Sequence, residues 1–284
     1  MSETTSANEA LCLRTLQETD RDRYLASLLT PADRRAAVVA LYAYNAEIAR
    51  VRDVVREPLP GEVRLQYWRD LLQGSAHGET AANPAAAELL RAVQTWRLPI
   101  APLVAMADAR IFDLYDDPME TTAMFEGYAG ETAASLIQLV SLVLDANAAE
   151  AAADRAGHAG VALSVAGAIL LMPIHRARGQ VYLPTQILTS VGLDRDAFLA
   201  AEADDRLTAA IQAFAGFGLD HLRKARAAGP IPKSLVAAYL PATLAEPVLK
   251  RAAKSGRDCL TTDVRPPQWR RQLSMMRLLV TGRL

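Results

Sequence analysis

Apolar positions recur at helical spacing along most of the chain. Ala37, Leu41, Tyr44, Ile48, Val51 and Val55 are separated by 4, 3, 4, 3 and 4 residues, so they share one face of a helix running to about Arg56. Thr30-Pro31-Ala32-Asp33 reads as its start, with Thr30 as the N-cap, Pro31 at the first position and Asp33 near the positive end of the dipole. Pro58-Leu59-Pro60-Gly61 breaks the pattern, and a second helix is expected over 62–73 with Gly74 just past its end. Asn83-Pro84 opens another, and Pro99 and Pro102 separate it from one ending near Asp117-Pro118. Further helices fit 12–29, 121–145, 149–172, 194–225, 232–253 and 266–281, and no alternating strand pattern intervenes. The expected fold class is all-α: a flexible tail over 1–10, then a single domain over 11–284.

Composition agrees with that class. The chain of 284 residues is 51% hydrophobic and 22% charged, which excludes a disordered protein and suffices for a sizeable core. Alanine is abundant and aromatics make up only 6%, favouring helix over sheet. The 31 basic residues against 32 acidic ones leave a net charge of −1, which argues against a nucleic-acid partner. Cys12 and Cys259 are far apart and form no metal-binding pair, as in a reducing compartment. The start is polar and acidic, unlike a signal peptide, and the apolar run over 161–174 is shorter than the roughly 20 residues of a membrane span. The expectation is a cytoplasmic protein that is not transmembrane, with 161–174 in a core helix.

Several strings go beyond generic helix. Arg34-Arg35-Ala36 leads to Ala40-Leu41-Tyr42-Ala43-Tyr44-Asn45. Arg64-Leu65-Gln66-Tyr67-Trp68-Arg69-Asp70 and Gly74 follow, then Ala159-Gly160-Val161 and Arg178-Gly179-Gln180-Val181-Tyr182-Leu183-Pro184. In this order they resemble the squalene/phytoene synthase family. The resemblance implies an isoprenoid-synthase-like helical bundle around a central apolar cavity, lined in part by 161–172. Active members join two prenyl diphosphates head to head. That chemistry needs Mg²⁺ to neutralise the leaving diphosphate, and Mg²⁺ needs carboxylate oxygens. The family supplies them from two motifs, each with carboxylates four residues apart.

Here those motifs are degraded. The first falls on Ala49-Arg50-Val51-Arg52-Asp53, where only Asp53 is acidic. The second falls on 171–175, where Leu171 and His175 replace both aspartates. Such departures resemble an offshoot of the family that includes a mitochondrial complex I assembly factor and bacterial relatives. It is matched through Asn45 to Asp53, Asp108-Ala109-Arg110, Tyr128-Ala129, 176–184 and His221-Leu222.

The resemblance thus implies a non-catalytic protein whose partner is a membrane complex under assembly, or an isoprenoid or lipid binder peripheral at the inner membrane. No cofactor is expected. The rival reading, an active prenyltransferase, requires Mg²⁺ and substitute ligands for which Asp53, Asp113 and Asp117 are the candidates. The resemblance also places the two motif segments opposite one another. Arg50, Arg52, Arg176 and Arg178, with Tyr182, are then candidates to bind the phosphate of a prenyl diphosphate or phospholipid without metal. Asp53 also has the spacing to pair with Arg50. Asp113, Asp116 and Asp117 are spaced to share a helix face. In the C-terminal segment Trp269, Leu273, Met276 and Val280 share a face flanked by arginines. Two readings stand for it, a surface that meets a membrane or partner and a helix docked on its own bundle.

Overall fold

A computed structural model describes residues 3–75, 83–200 and 204–284. Among them there is no strand. The α-helices are α1 (Glu3–Thr19), α2 (Arg21–Leu28), α3 (Ala32–Ala49), α4 (Val51–Val54), α5 (Pro58–Leu72), α6 (Pro84–Trp96), α7 (Ile100–Ala109) and α8 (Thr122–Ala129). They continue as α9 (Ser135–Leu144), α10 (Ala146–Ala151), α11 (Ala153–Ala177), α12 (Thr185–Ser190), α13 (Arg195–Ala200), α14 (Asp205–Ala227), α15 (Ala245–Ser255) and α16 (Gln268–Thr281). A π turn, Gly130–Ala134, joins α8 to α9, and 3-10 helix covers Phe112–Leu114, Lys233–Leu244 and Gly256–Leu260.

Most boundaries follow the local chemistry. Asn83 caps α6 by accepting from the amides of Ala85 and Ala86, and Asp204 caps α14 through the amide of Arg206. Four expectations are corrected. Residues 3–10, expected in a loose tail, are helical in α1; residues 1 and 2 lie outside the described residues. Thr30 does not cap α3. Its hydroxyl donates to the carbonyl of Ala26 and closes α2, leaving Pro31 as the N-cap residue. The preceding helical stretch does end before Pro58, at Val54, but the second helix begins at Pro58 rather than at residue 62, with Pro58 and Pro60 in its first turn, where a missing N–H costs nothing. The expected helix over 232–253 is 3-10 up to Leu244 and α only from Ala245. Residues 201–203, inside the helix expected over 194–225, lie outside the described residues.

The chain groups into two compact units, each assembled from segments remote in sequence. The first holds residues 1–115, 135–153 and 232–241. Its centre is α3, which meets α1, α6 and α9. Every residue from Ala37 to Ala46 is buried, so the helix is enclosed all round and the predicted stripe is only part of its contact surface. Tyr44 shows why this helix is specified so tightly. Its hydroxyl donates to the carbonyl of Leu103 at 2.6 Å, and its ring meets Trp68 edge-on at 5.1 Å.

The second unit holds residues 116–134, 154–231 and 242–284. In it α14 meets α12 and α15. The π turn lies so close to α11 that a Cβ on Gly160 would come within 2.4 Å of the Ala134 Cα. Val161, Ala162, Val165, Ala166 and Ile169 of α11 are buried, as a core helix requires. Two stretches, Thr122–Leu144 and Ala153–Ala177, are long and apolar enough to cross a bilayer, although the run in the sequence looked short. About half of each is buried by the protein itself, 50% and 44% of their most apolar windows.

Candidate functional site

The first motif segment straddles a break. The α-helical ladder lapses at Arg50, so Ala49 ends α3 while Asp53 lies on the separate short helix α4. Ala49 is half-buried and Asp53 is exposed. The Arg50 guanidinium lies 3.6 Å from the Glu47 carboxylate one turn back. Arg52 Nε is buried without a hydrogen-bond partner among the described residues.

The strings that carry the family likeness in this unit are consumed by structure. Arg69 pairs with Asp108 at 2.6 Å, and Arg110 pairs with the buried Asp113 at 3.1 Å. The expected shared face of Asp113, Asp116 and Asp117 does not form. The 3-10 turn ends at Leu114, and Asp116 and Asp117 are exposed beyond it in non-helical chain.

The second motif segment lies on α11 and is continuous. Leu171 is 41% exposed, in a place where the family chemistry calls for a carboxylate. His175 is half-buried, and its ring lies 4.5 Å from that of Tyr182 at a tilt of 42°, while Tyr182 in turn lies 6.1 Å from Tyr128. This contact has a local cause. The amide of Gln180 donates to the carbonyl of His175, and the amide of Gly179 donates to that of Arg176. With Gly179 at φ +77°, this is a Schellman stop, and it folds Tyr182 back beside the last turn of α11. Arg176 Nε donates to the carbonyl of Leu199 at 3.1 Å, bracing α13, while Arg178 is exposed. A recess lined by Met172, His175, Gln180, Tyr182, Phe198 and Phe214 has room for about one water molecule.

These residues do not fit a Mg²⁺–diphosphate centre. Of the four motif-end positions one keeps a carboxylate, and Leu171 offers no ligand atom. Among the described residues no group of three His, Cys, Asp or Glu side chains is placed to hold a metal ion.

A cluster that sequence reading missed lies in the second unit. His221 Nε2 is 3.1 Å from Glu126 Oε1, and His221 Nδ1 is 3.0 Å from His158 Nδ1. His158 Nε2 is 3.9 Å from Asp154. An ionised Glu126 only accepts, so His221 carries its proton on Nε2. Its Nδ1 then accepts from the Nδ1–H of His158, and the lone pair at the outer end is His158 Nε2. Burial pushes the His221 pKa down, aided by His158 and Lys224, and outweighs the opposing pull of Glu126. The cluster's members are 63 and 95 residues apart, so the sequence carried no local signal that joins them; His221 entered only as part of a matched string.

With the geometry in place, the comparisons decide the family. The squalene/phytoene synthase family model matches residues 16–277. The chain belongs to the squalene/phytoene synthase family. Its relatives include the human "NADH dehydrogenase (ubiquinone) complex I, assembly factor 6", 32% identical over 84% of this chain and 72% of the relative. The rat protein of the same name is 31% identical over the same shares. A dehydrosqualene synthase structure superposes with a TM-score of 0.77 at 17% identity, covering 96% of each chain. A squalene synthase from Alicyclobacillus acidocaldarius gives 0.73 at 18% identity, covering 90% of this chain and 97% of that one. These two likenesses establish the all-α isoprenoid-synthase fold for the family member described here.

Proposed function

We propose that this chain is a non-catalytic family member that serves the assembly of a membrane respiratory complex of the complex I type. The inherited fold would hold an isoprenoid or other lipid instead of transforming one. The observation that carries the reading is the side-chain chemistry of the motifs: an exposed Leu171 and a half-buried His175 and Ala49 stand where Mg²⁺ ligands are needed. The assembly-factor names of relatives about one-third identical support the role. In this reading the protein works at a membrane surface without spanning it. A prenyl diphosphate or phospholipid would be met in the second unit by Arg178 and the Tyr182 hydroxyl, charge against charge and without a cation.

The test is titration of the purified protein with farnesyl and geranylgeranyl diphosphate, with Mg²⁺ and with EDTA, following binding and released diphosphate together. The reading expects no release in either condition, and binding that persists in EDTA and weakens in Arg178→Ala. Mg²⁺-dependent release would establish an active prenyltransferase and overturn it. A deletion strain of the source organism would then be assayed for NADH-driven respiration; unchanged complex I content would remove the assembly role.

A further inference from the structure

The last helix turns its most apolar side to solvent. On α16, Met275 and Leu278 are buried, and they fix the helix on the second unit. Trp269, Leu273, Met276 and Val280, spaced 4, 3 and 4, are 59%, 62%, 50% and 83% exposed. At 100° per residue they fall within one narrow stripe, roughly opposite the buried pair. Burying the stripe's side chains on the body of the protein is therefore impossible while Met275 and Leu278 stay seated.

The charge around the stripe has one sign. From Val264 to Leu284 there are five arginines, Arg265, Arg270, Arg271, Arg277 and Arg283, and no Asp or Glu. Among the described residues no carboxylate pairs with Arg270, Arg277 or Arg283. Arg270 and Arg277 lie together along one border of the stripe, and the Arg270 guanidinium is 5.0 Å from the Trp269 ring.

We infer that α16 docks flat on an anionic lipid surface, with the stripe at the boundary of headgroups and acyl chains and the arginines at the phosphates. Its 14 residues are too few to span a bilayer, so the helix lies in the plane of the surface. Two features select lipid over a protein groove. The stripe carries an indole at its end, the group that prefers the membrane interface. Its flanking charge is of one sign along the whole segment, which matches a negative leaflet rather than a rim of mixed charges.

The experiment is flotation of the full chain with vesicles of phosphatidylcholine alone, or with about a third phosphatidylglycerol. The expected result is flotation with the anionic vesicles only, weakening as salt is raised. The double variant Leu273→Glu/Val280→Glu should lose affinity about tenfold or more. Arg270→Ala/Arg277→Ala should lose about tenfold, and recover nothing on neutral vesicles. All four sites are exposed, so circular dichroism of both variants should match the parent. Equal flotation with neutral vesicles, absence of flotation, or flotation indifferent to both variants overturns the inference. A dimer in light scattering that both variants dissolve would also overturn it, by showing that a second copy covers the stripe.

Discussion

His221 shows how burial can reverse the usual behaviour of an ionisable side chain. It is buried and kept neutral, although Glu126 sits at hydrogen-bond distance. The unfolded chain takes up a proton at this histidine near pH 6.5, while the folded protein does so only at lower pH. The contribution of His221 to stability is therefore complete above about pH 6.5 and is lost as pH falls below it. Thermal unfolding followed from pH 8 to 5.5 should show Tm falling with acidification, and the fall should be shallower in His221→Gln. A parallel slope in the two proteins would remove the role of this site. Gly179 offers a second residue-level test. A Cβ there meets nothing within 4 Å, so Gly179→Ala costs only the left-handed backbone, about 1 kcal/mol in denaturant unfolding. Gly160→Ala should cost more, about 3 kcal/mol, because the obstacle is the backbone of Ala134, which cannot rotate away.

Among elements, α14 depends on side chains donated by its neighbours. Arg155 from α11 is buried and donates to the carbonyls of Ala228 at 2.5 Å and Pro230 at 3.2 Å, satisfying the C-terminal end of α14. Arg155→Ala should lose about 1–2 kcal/mol, read as a lower urea midpoint, because two carbonyls lose a charged donor that water at the exposed Ala228 and Pro230 replaces only in part. On the same helix Arg226 grips Glu246 of α15 through both carboxylate oxygens and holds its pKa down at about 2. That contribution is present above about pH 4.5 and disappears as pH falls toward 2. Helix existence was legible at this scale and helix ends were less so. Asn83 and Asp204 act as the caps their types suggest, whereas Thr30 serves the helix before it. The difference is whether the hydroxyl meets the preceding carbonyl or the following amides, which depends on how tightly the chain turns at Pro31.

At the scale of the whole molecule, a synthase fold persists without a synthase's metal ligands. Millimolar Mg²⁺ should therefore leave Tm within about 1 °C of its metal-free value, since among the described residues no group of three acidic, His or Cys side chains is placed to hold a cation in the folded state. A rise of several degrees in differential scanning fluorimetry would mean that ligands come from positions other than the motifs. The family strings nevertheless have work to do. Trp68 packs on Tyr44, Arg69 holds Asp108, and Gly179 stops α11. Each of these contacts is a demand of folding, whatever chemistry the fold carries.

Helical class, family and the loss of motif carboxylates were determined by the sequence alone. Periodicity is a property of adjacent residues, and Leu171 lacks a ligand atom in any fold. Only the tertiary structure decided which charges were already spent. Arg50 meets Glu47, Arg176 meets the Leu199 carbonyl, and Asp113 meets Arg110. It also brought His158, His221 and Glu126 together and left the stripe of α16 uncovered. The physical reason is common to all of these: burial and pairing are set by neighbours far away in the chain, and a helical pattern records which residues share a face but not what lies against it.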